Sequence, residues 1–270
     1  MVKKLENFIK RFYLLLIFIF LYTPIISLMV FSFNESKTMG NWSGFTFKWY
    51  KELFNNSRIM EALFYTVLIA LISSIIATII GTLAAIGINK MKGSKKALLL
   101  NINYLPVLNP DIVTGISLMS LFIFIRPLIN IDFGFITMLL AHITFDIPYV
   151  ILAVLPKLRQ LPDNVEEAAL DLGATPSYTL RKIILPQIKP GIISGLLIAF
   201  TMSIDDFVIS FFTTGPGVTN LSIEIYSMAR RGIKPEINAL STLMFITVLC
   251  LLLIANRKEF ISRGDKIEKN

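Results

Sequence analysis

An all-α, polytopic membrane protein with six transmembrane helices is the fold class this sequence predicts, and three observations predict it. Of the 270 residues 54% are hydrophobic and only 16% charged, with a mean hydropathy of +0.69, too apolar for a soluble domain of ordinary composition. Several apolar runs reach the roughly 20 residues that a spanning helix needs. Basic residues gather beside those runs rather than in a stripe or a nucleic-acid motif. The formal charge of +8 is therefore a topology signal, and no nucleic-acid partner is expected. The single Cys250 has no partner for an intrachain disulfide.

The first span is expected at residues 12–31, after Lys3, Lys4, Lys10 and Arg11. No small-residue cleavage site follows it, so it reads as a retained span and not a signal peptide. The second, 62–88, ends in the basic cluster Lys90, Lys92, Lys95 and Lys96. The third, 97–128, is longer than one straight span requires and carries Pro106 and Pro110, which predicts a kinked or broken helix. A fourth is expected at 133–155, a fifth at 192–212 and a sixth at 239–255. Arg257 and Lys258 open a short charged tail that is not assigned to structure. With this alternation 18 of the 26 Lys and Arg residues fall on one side. The positive-inside rule places that side, and both termini, in the cytoplasm.

Between the fourth and fifth spans the cytoplasmic stretch is expected to form a helix-turn-helix. Asp163 is placed to cap the first helix and Glu166, three residues on, to complete a capping box. Gly173 suits the left-handed residue that ends it. Thr175 offers a second cap, with Pro176 at the first helical position, for a helix running to Leu185 before Pro186 and Pro190. Small Ala168 and Ala169 permit close approach and Glu167 supplies a charge, so the pair of helices makes a rigid knob for a soluble partner.

Glu167-Ala168-Ala169, then Gly173 after three residues, Ile183 after nine more, and Leu185-Pro186 resemble the "EAA" loop of binding-protein-dependent ABC importer permeases. The resemblance extends over nearly the whole chain and narrows to the spermidine/putrescine permeases. It is carried by Trp42-Ser43-Gly44-Phe45-Thr46-Phe47-Lys48-Trp49-Tyr50, Pro110-Asp111-Ile112-Val113, His142-Ile143-Thr144-Phe145, Ser203-Ile204-Asp205-Asp206, Thr214-Gly215-Pro216 and Ile225-Tyr226-Ser227-Met228. It implies that the loop 162–186 is a coupling helix held by an ATPase dimer through Glu167, Ala168, Ala169, Gly173 and Pro186. It also implies a sister permease forming a heterodimer, an extracytoplasmic polyamine-binding protein, and a place in the bacterial inner membrane. ATP and Mg would act on the partner ATPase, with no cofactor held by this chain. Residues 1–60 would then form the first span and an extracytoplasmic loop, 61–256 the transporter domain, and 257–270 a cytoplasmic tail.

Candidate groups for a substrate pathway are the acidic residues Asp111, Asp146, Asp205 and Asp206, costly near a bilayer unless they face a cavity or a partner, together with Tyr226 and Arg230. Asp205 and Asp206 match an acidic pair of the polyamine permeases, and neighbouring helix positions point about 100° apart, so one can face a passage while the other bonds within the bundle. Tyr226 and Arg230 would share a face if 221–231 is helical. His142 and Asp146, four apart, suggest a buried hydrogen-bonded pair more than a metal site, since no second His or Cys/His cluster accompanies them. Gly191 and Gly195 have the spacing for close helix contact, read as packing with a sister subunit. Trp42, Phe45, Phe47, Trp49 and Tyr50 suit an interfacial anchor. No GxxxxGK[ST] phosphate loop and no converging catalytic groups are present, which argues against an ATPase or a membrane enzyme. An ion-coupled transporter using the same carboxylates is the competing class.

Overall fold

The structure, a computed structural model, describes residues 2–36, 41–162, 164–232 and 235–267, with side chains described except at 2–5, 251, 252 and 254–267. Among the described residues every regular element is a helix, apart from one isolated bridge between Asn34 and Phe45. Among the described residues five helices are long and apolar enough to cross a membrane, within Glu6–Phe31, Ser57–Lys90, Asp111–Ile129, Phe135–Leu158 and Pro176–Asp205, with a shorter apolar stretch at Pro235–Cys250. The chain divides into two units, Met1–Met60 with Glu224–Asn270, and Glu61–Ile223.

In the first unit, α1 (Val2–Phe31) and α2 (Lys48–Asn55) pack on α12 (Pro235–Ile267). None of the apolar window of α1 is buried in the protein, the surface expected of a helix whose solvent is lipid. The rings of Phe45, Phe47 and Tyr50 gather on Phe33 at centroid distances of 5.2–5.5 Å. Trp49 is buried and donates its indole N–H to the Asn34 carbonyl at 2.7 Å. Of the five aromatics read as anchors, Trp49 is thus a core residue, three join a cluster within the chain, and Trp42 stays exposed. The α12 helix runs on to Ile267, so the charged tail left without structure continues the last helix in its first part.

The second unit is built on α6 (Phe135–Leu158), whose buried positions recur along its length. It packs most extensively on α9 (Leu185–Asp205). Gly191 and Gly195 make that contact possible. A Cβ on Gly191 would stand 2.8 Å from Lys157 Cγ and 3.1 Å from the Ala153 carbonyl, and one on Gly195 3.2 Å from Val150 Cγ1. The small-residue spacing therefore serves packing inside this chain. The third apolar segment is broken, as its prolines predict: α4 (Gly93–Leu108) stops at Asn109, which is extended before Pro110, and α5 (Asp111–Ile129) begins afresh. Pro106, in contrast, is carried inside α4.

Two expectations are corrected in the second unit. After α7 (Val165–Asp171), the second loop helix does not end before Pro186. It starts as α8 (Pro176–Tyr178), widens to a π-helix over Thr179–Ile184, and continues through Pro186 and Pro190 as α9. A π turn loosens the i→i−4 ladder where a proline ring would otherwise meet the preceding turn's carbonyl. At the other end, the fifth apolar helix does not reach Phe212. It stops at Asp205, Asp206 is extended, and a short α10 (Val208–Thr213) follows.

Candidate coupling loop and acidic helix break

The end of α7 has a fully wired stop. Gly173 holds a left-handed φ of +83°, its amide donates to Leu170 O at 2.9 Å, and the Ala174 amide reaches back to Ala169 O at 3.0 Å, the paired bonds of a Schellman motif. Thr175 then caps α8, its hydroxyl accepting from the Tyr178 amide at 3.3 Å, with Pro176 next in line. Asp163, the cap expected for the first helix, lies outside the described residues; Glu166 instead pairs with Lys90 at the end of α3 (Ser57–Lys90). Around this turn Ala169, Leu172, Gly173, Ala174, Thr175, Tyr178 and Ile183 line an open groove. Leu172 is 90% exposed, an unusual position for a leucine beside charged loop residues. Glu167, Ala168 and Pro186 are exposed too, while Ala169 is buried against its own loop.

At the break between α9 and α10, two adjacent aspartates have opposite surroundings. Asp206 accepts hydrogen bonds from the Ile209 and Ser210 amides at 3.2 and 2.7 Å. Those are two of the amides that the first turn of α10 leaves free. Its Oδ2 also stands 3.5 Å from His142 Nε2, and only 7% of its side chain is exposed. Asp205 is exposed, and its main-chain carbonyl accepts from the Ser222 hydroxyl at 3.3 Å. Contrary to expectation, the two aspartates do not share a helix: α9 ends at Asp205, and Asp206 is extended and bonds the next turn.

His142 does not pair with Asp146. Its two ring nitrogens contact the Ser203 hydroxyl at 2.5 Å and the Ser210 hydroxyl at 2.9 Å. Ser203 is bonded in turn to Ser73 at 3.1 Å. Asn220 donates both to Ser210 Oγ at 2.7 Å and to the Asp206 carbonyl at 2.8 Å. Sequence reading missed Ser73, Ser210 and Asn220; the only available signal was that polar residues on apolar helices must find partners. Asp146, fully buried one turn beyond His142, has the Ser73 hydroxyl as its facing polar group but makes no hydrogen bond through either carboxylate oxygen. Asp111 sits exposed in the first turn of α5.

α11 (Leu221–Arg230) is helical as required, and in its part within the first unit the Arg230 guanidinium lies over the Tyr226 ring at 5.9 Å. Next to them Glu224, buried, holds Arg58 at 3.0 Å and Arg231 at 3.7 Å. Among the described residues no group of three or more His, Cys, Asp or Glu is placed to hold a metal ion.

Residues 77–257 match the family described as binding-protein-dependent transport system inner membrane component. Among curated relatives, the spermidine/putrescine transport system permease protein PotC of Haemophilus influenzae is 37% identical over 248 residues, 92% of this chain and 95% of that protein. PotC of Escherichia coli is 40% identical over 253 residues, covering 92% and 94%. The putrescine transport system permease protein PotI of the same organism is 43% identical over 237 residues, covering 86% and 83%. The fold is shared with a crystal structure of a bacterial ABC transporter involved in the import of the polysaccharide alginate, at TM-score 0.72 and 19% identity, covering 97% of this chain and 99% of that one. It is shared with inward-facing MetNI methionine ABC transporter structures at 0.60 and 18%, covering 75% and 96%. These likenesses and the five long apolar helices lead to one identification: the chain belongs to the binding-protein-dependent transport system inner membrane components, as a multi-pass permease subunit of an ABC importer and not an enzyme.

Proposed function

We propose that this chain is the six-span permease of an ATP-driven polyamine importer, with both termini in the cytoplasm. The observation that carries the substrate is the near full-length likeness, at 37–43% identity, to permeases named for spermidine and putrescine. The exposed Asp205 carboxylate at the end of α9 supports it, because a flexible polycation is attracted by sparse acidic groups without being held too firmly to leave. Asp111 and, in another conformation, Asp146 are further acidic stations, and the Tyr226–Arg230 face belongs to a gate on the extracytoplasmic side. The sixth span is the apolar part of α12.

The groove around Gly173, with Glu167, Ala168, Ala169 and Pro186 beside it, is the docking surface for an ATPase dimer on which ATP and Mg act. A sister permease completes a heterodimer, and an extracytoplasmic binding protein delivers the polyamine. The same permease role for another small solute is the second reading. It is favoured by one observation: the shared fold belongs also to importers whose names specify alginate and methionine, so architecture alone does not select the solute.

The two are separated by ATPase stimulation in the reconstituted four-part complex. Binding protein incubated with spermidine or putrescine is expected to raise the hydrolysis rate, and binding protein incubated with methionine or alginate oligosaccharide to leave it at the basal level. Stimulation by another solute and by neither polyamine would move the assignment.

A further inference from the structure

Only two residues, Asp206 and Phe207, separate the end of α9 from the start of α10. Such a junction has four soft dihedrals, and a helix of six residues has little stability of its own. The angle at the break therefore depends on side-chain bonds across it: Asp206, within the break, holds the start of α10, and a tie back to α9 must come from elsewhere. One side chain reaches both sides. His142, on α6, bonds Ser203 two residues before the end of α9 with one ring nitrogen, and Ser210 in the first turn of α10 with the other. Its ring is 1% exposed, Ser203 2% and Ser210 0%. Planar imidazole holds its two nitrogens in fixed relation, so the ring acts as a spacer as well as a partner.

We propose that His142 is a positioning residue for transport: by tying α9 to α10 across the break it fixes where the Asp205 carboxylate stands in the substrate passage. The inference rests on the reading of Asp205 as a substrate contact. Filling space cannot be the whole role of the imidazole. Without it both serines keep hydrogen-bonding partners, Ser203 through Ser73 and Ser210 through Asn220. An apolar side chain of similar size at position 142 would leave no hydroxyl orphaned; it would take from the Asp206 carboxylate its 3.5 Å neighbour but not its two amide donors, so the tie is lost with those bonds still in place. Asp206 keeps its bonds to the α10 amides in that case, so the capping of α10 is separable from the angle at which it leaves α9.

The test uses the complete reconstituted importer in a Cys250→Ser background, which removes the native thiol. Asp205→Cys is labelled with a cationic thiosulfonate with and without His142→Leu, and Asp132→Cys, in the α5–α6 loop, serves as reference. Loss of the tie is expected to change the labelling rate at 205 at least threefold and to leave that at 132 unchanged. In a parallel series with the native carboxylate, His142→Leu and Asp205→Asn each lower spermidine import about tenfold per assembled complex, and the double variant falls no further, because both act on one element. Equal labelling rates at 205, or losses that multiply, would overturn the proposal. If His142→Leu does not assemble, Ser210→Ala removes one of the two anchors while keeping the ring, and the same outcomes apply. Absence of spermidine import by the parental complex would refute the polyamine reading, and the labelling comparison would still decide whether His142 sets the break.

Discussion

Asp205 and Asp206 are adjacent and chemically alike, yet the molecule uses them differently. The Asp206 carboxylate replaces missing helix bonds at the start of α10 and lies beside His142; Asp205 makes none of these contacts and faces outward. Removing the first should disturb structure and removing the second should disturb transport. Asp206→Ala is expected to cost about 1 kcal/mol or more through the lost amide acceptors alone, seen as a lower yield of assembled complex and a lower unfolding temperature in detergent. Asp205→Asn keeps size and hydrogen bonding, and is expected to assemble at the parental yield while importing spermidine about tenfold more slowly. The reverse pattern, with Asp205→Asn failing to assemble and Asp206→Ala importing normally, would contradict the assignment. From sequence, the roughly 100° offset of neighbouring helix positions allowed one aspartate to face a passage while the other bonds within the bundle, but it assumed that both lie on one helix. Which was which depended on the helix ending at Asp205, a consequence of Asp206 bonding the next turn instead of continuing the last one.

Among the elements, the α7 turn is where local sequence was most completely legible. Gly173 in a left-handed conformation and Thr175 as a cap before Pro176 are set by residues within a turn of one another, and such short-range chemistry can be read along the chain. The run through Pro186 was not legible in this way, because proline ordinarily ends or kinks a helix, and the π-helical stretch at Thr179–Ile184 that accommodates it leaves no composition signal. Nor were the partners of His142, which lie 61 and 68 residues away on other elements. The neighbour visible in sequence, Asp146, shares its helix and not its hydrogen bonds. The glycine pair at 191 and 195 was legible as a close contact but not as a contact with α6 of the same chain.

A substitution at the turn converts this reading into a number. At Gly173 φ is +83° and nothing lies within 4 Å of the Cβ position, so Gly173→Val clashes with no neighbour and acts through backbone strain, about 1–2 kcal/mol for a left-handed L-residue and more with a β-branch. The variant is expected to insert normally and to hydrolyse ATP with little response to loaded binding protein. Parental stimulation would show that the turn geometry is not needed for coupling.

For the whole molecule, the exposed apolar surface of α1 and α5 and the polar bonding buried around His142 follow from one requirement. In lipid, apolar side chains face outward at no cost and polar ones must be satisfied within the protein. Among the described residues five helices are long and apolar enough to cross a membrane, and α12 carries a further apolar stretch from Pro235 to Cys250. The central claim, that this permease passes polyamines under ATP power, is tested most directly by accumulation of radiolabelled spermidine in proteoliposomes. These contain the permease, its sister subunit, the ATPase and loaded binding protein. Accumulation above the external concentration is expected with ATP present, and none with a non-hydrolysable analogue. Accumulation that follows an imposed ion gradient without ATP, or no spermidine uptake by a complex that imports another solute, would contradict it.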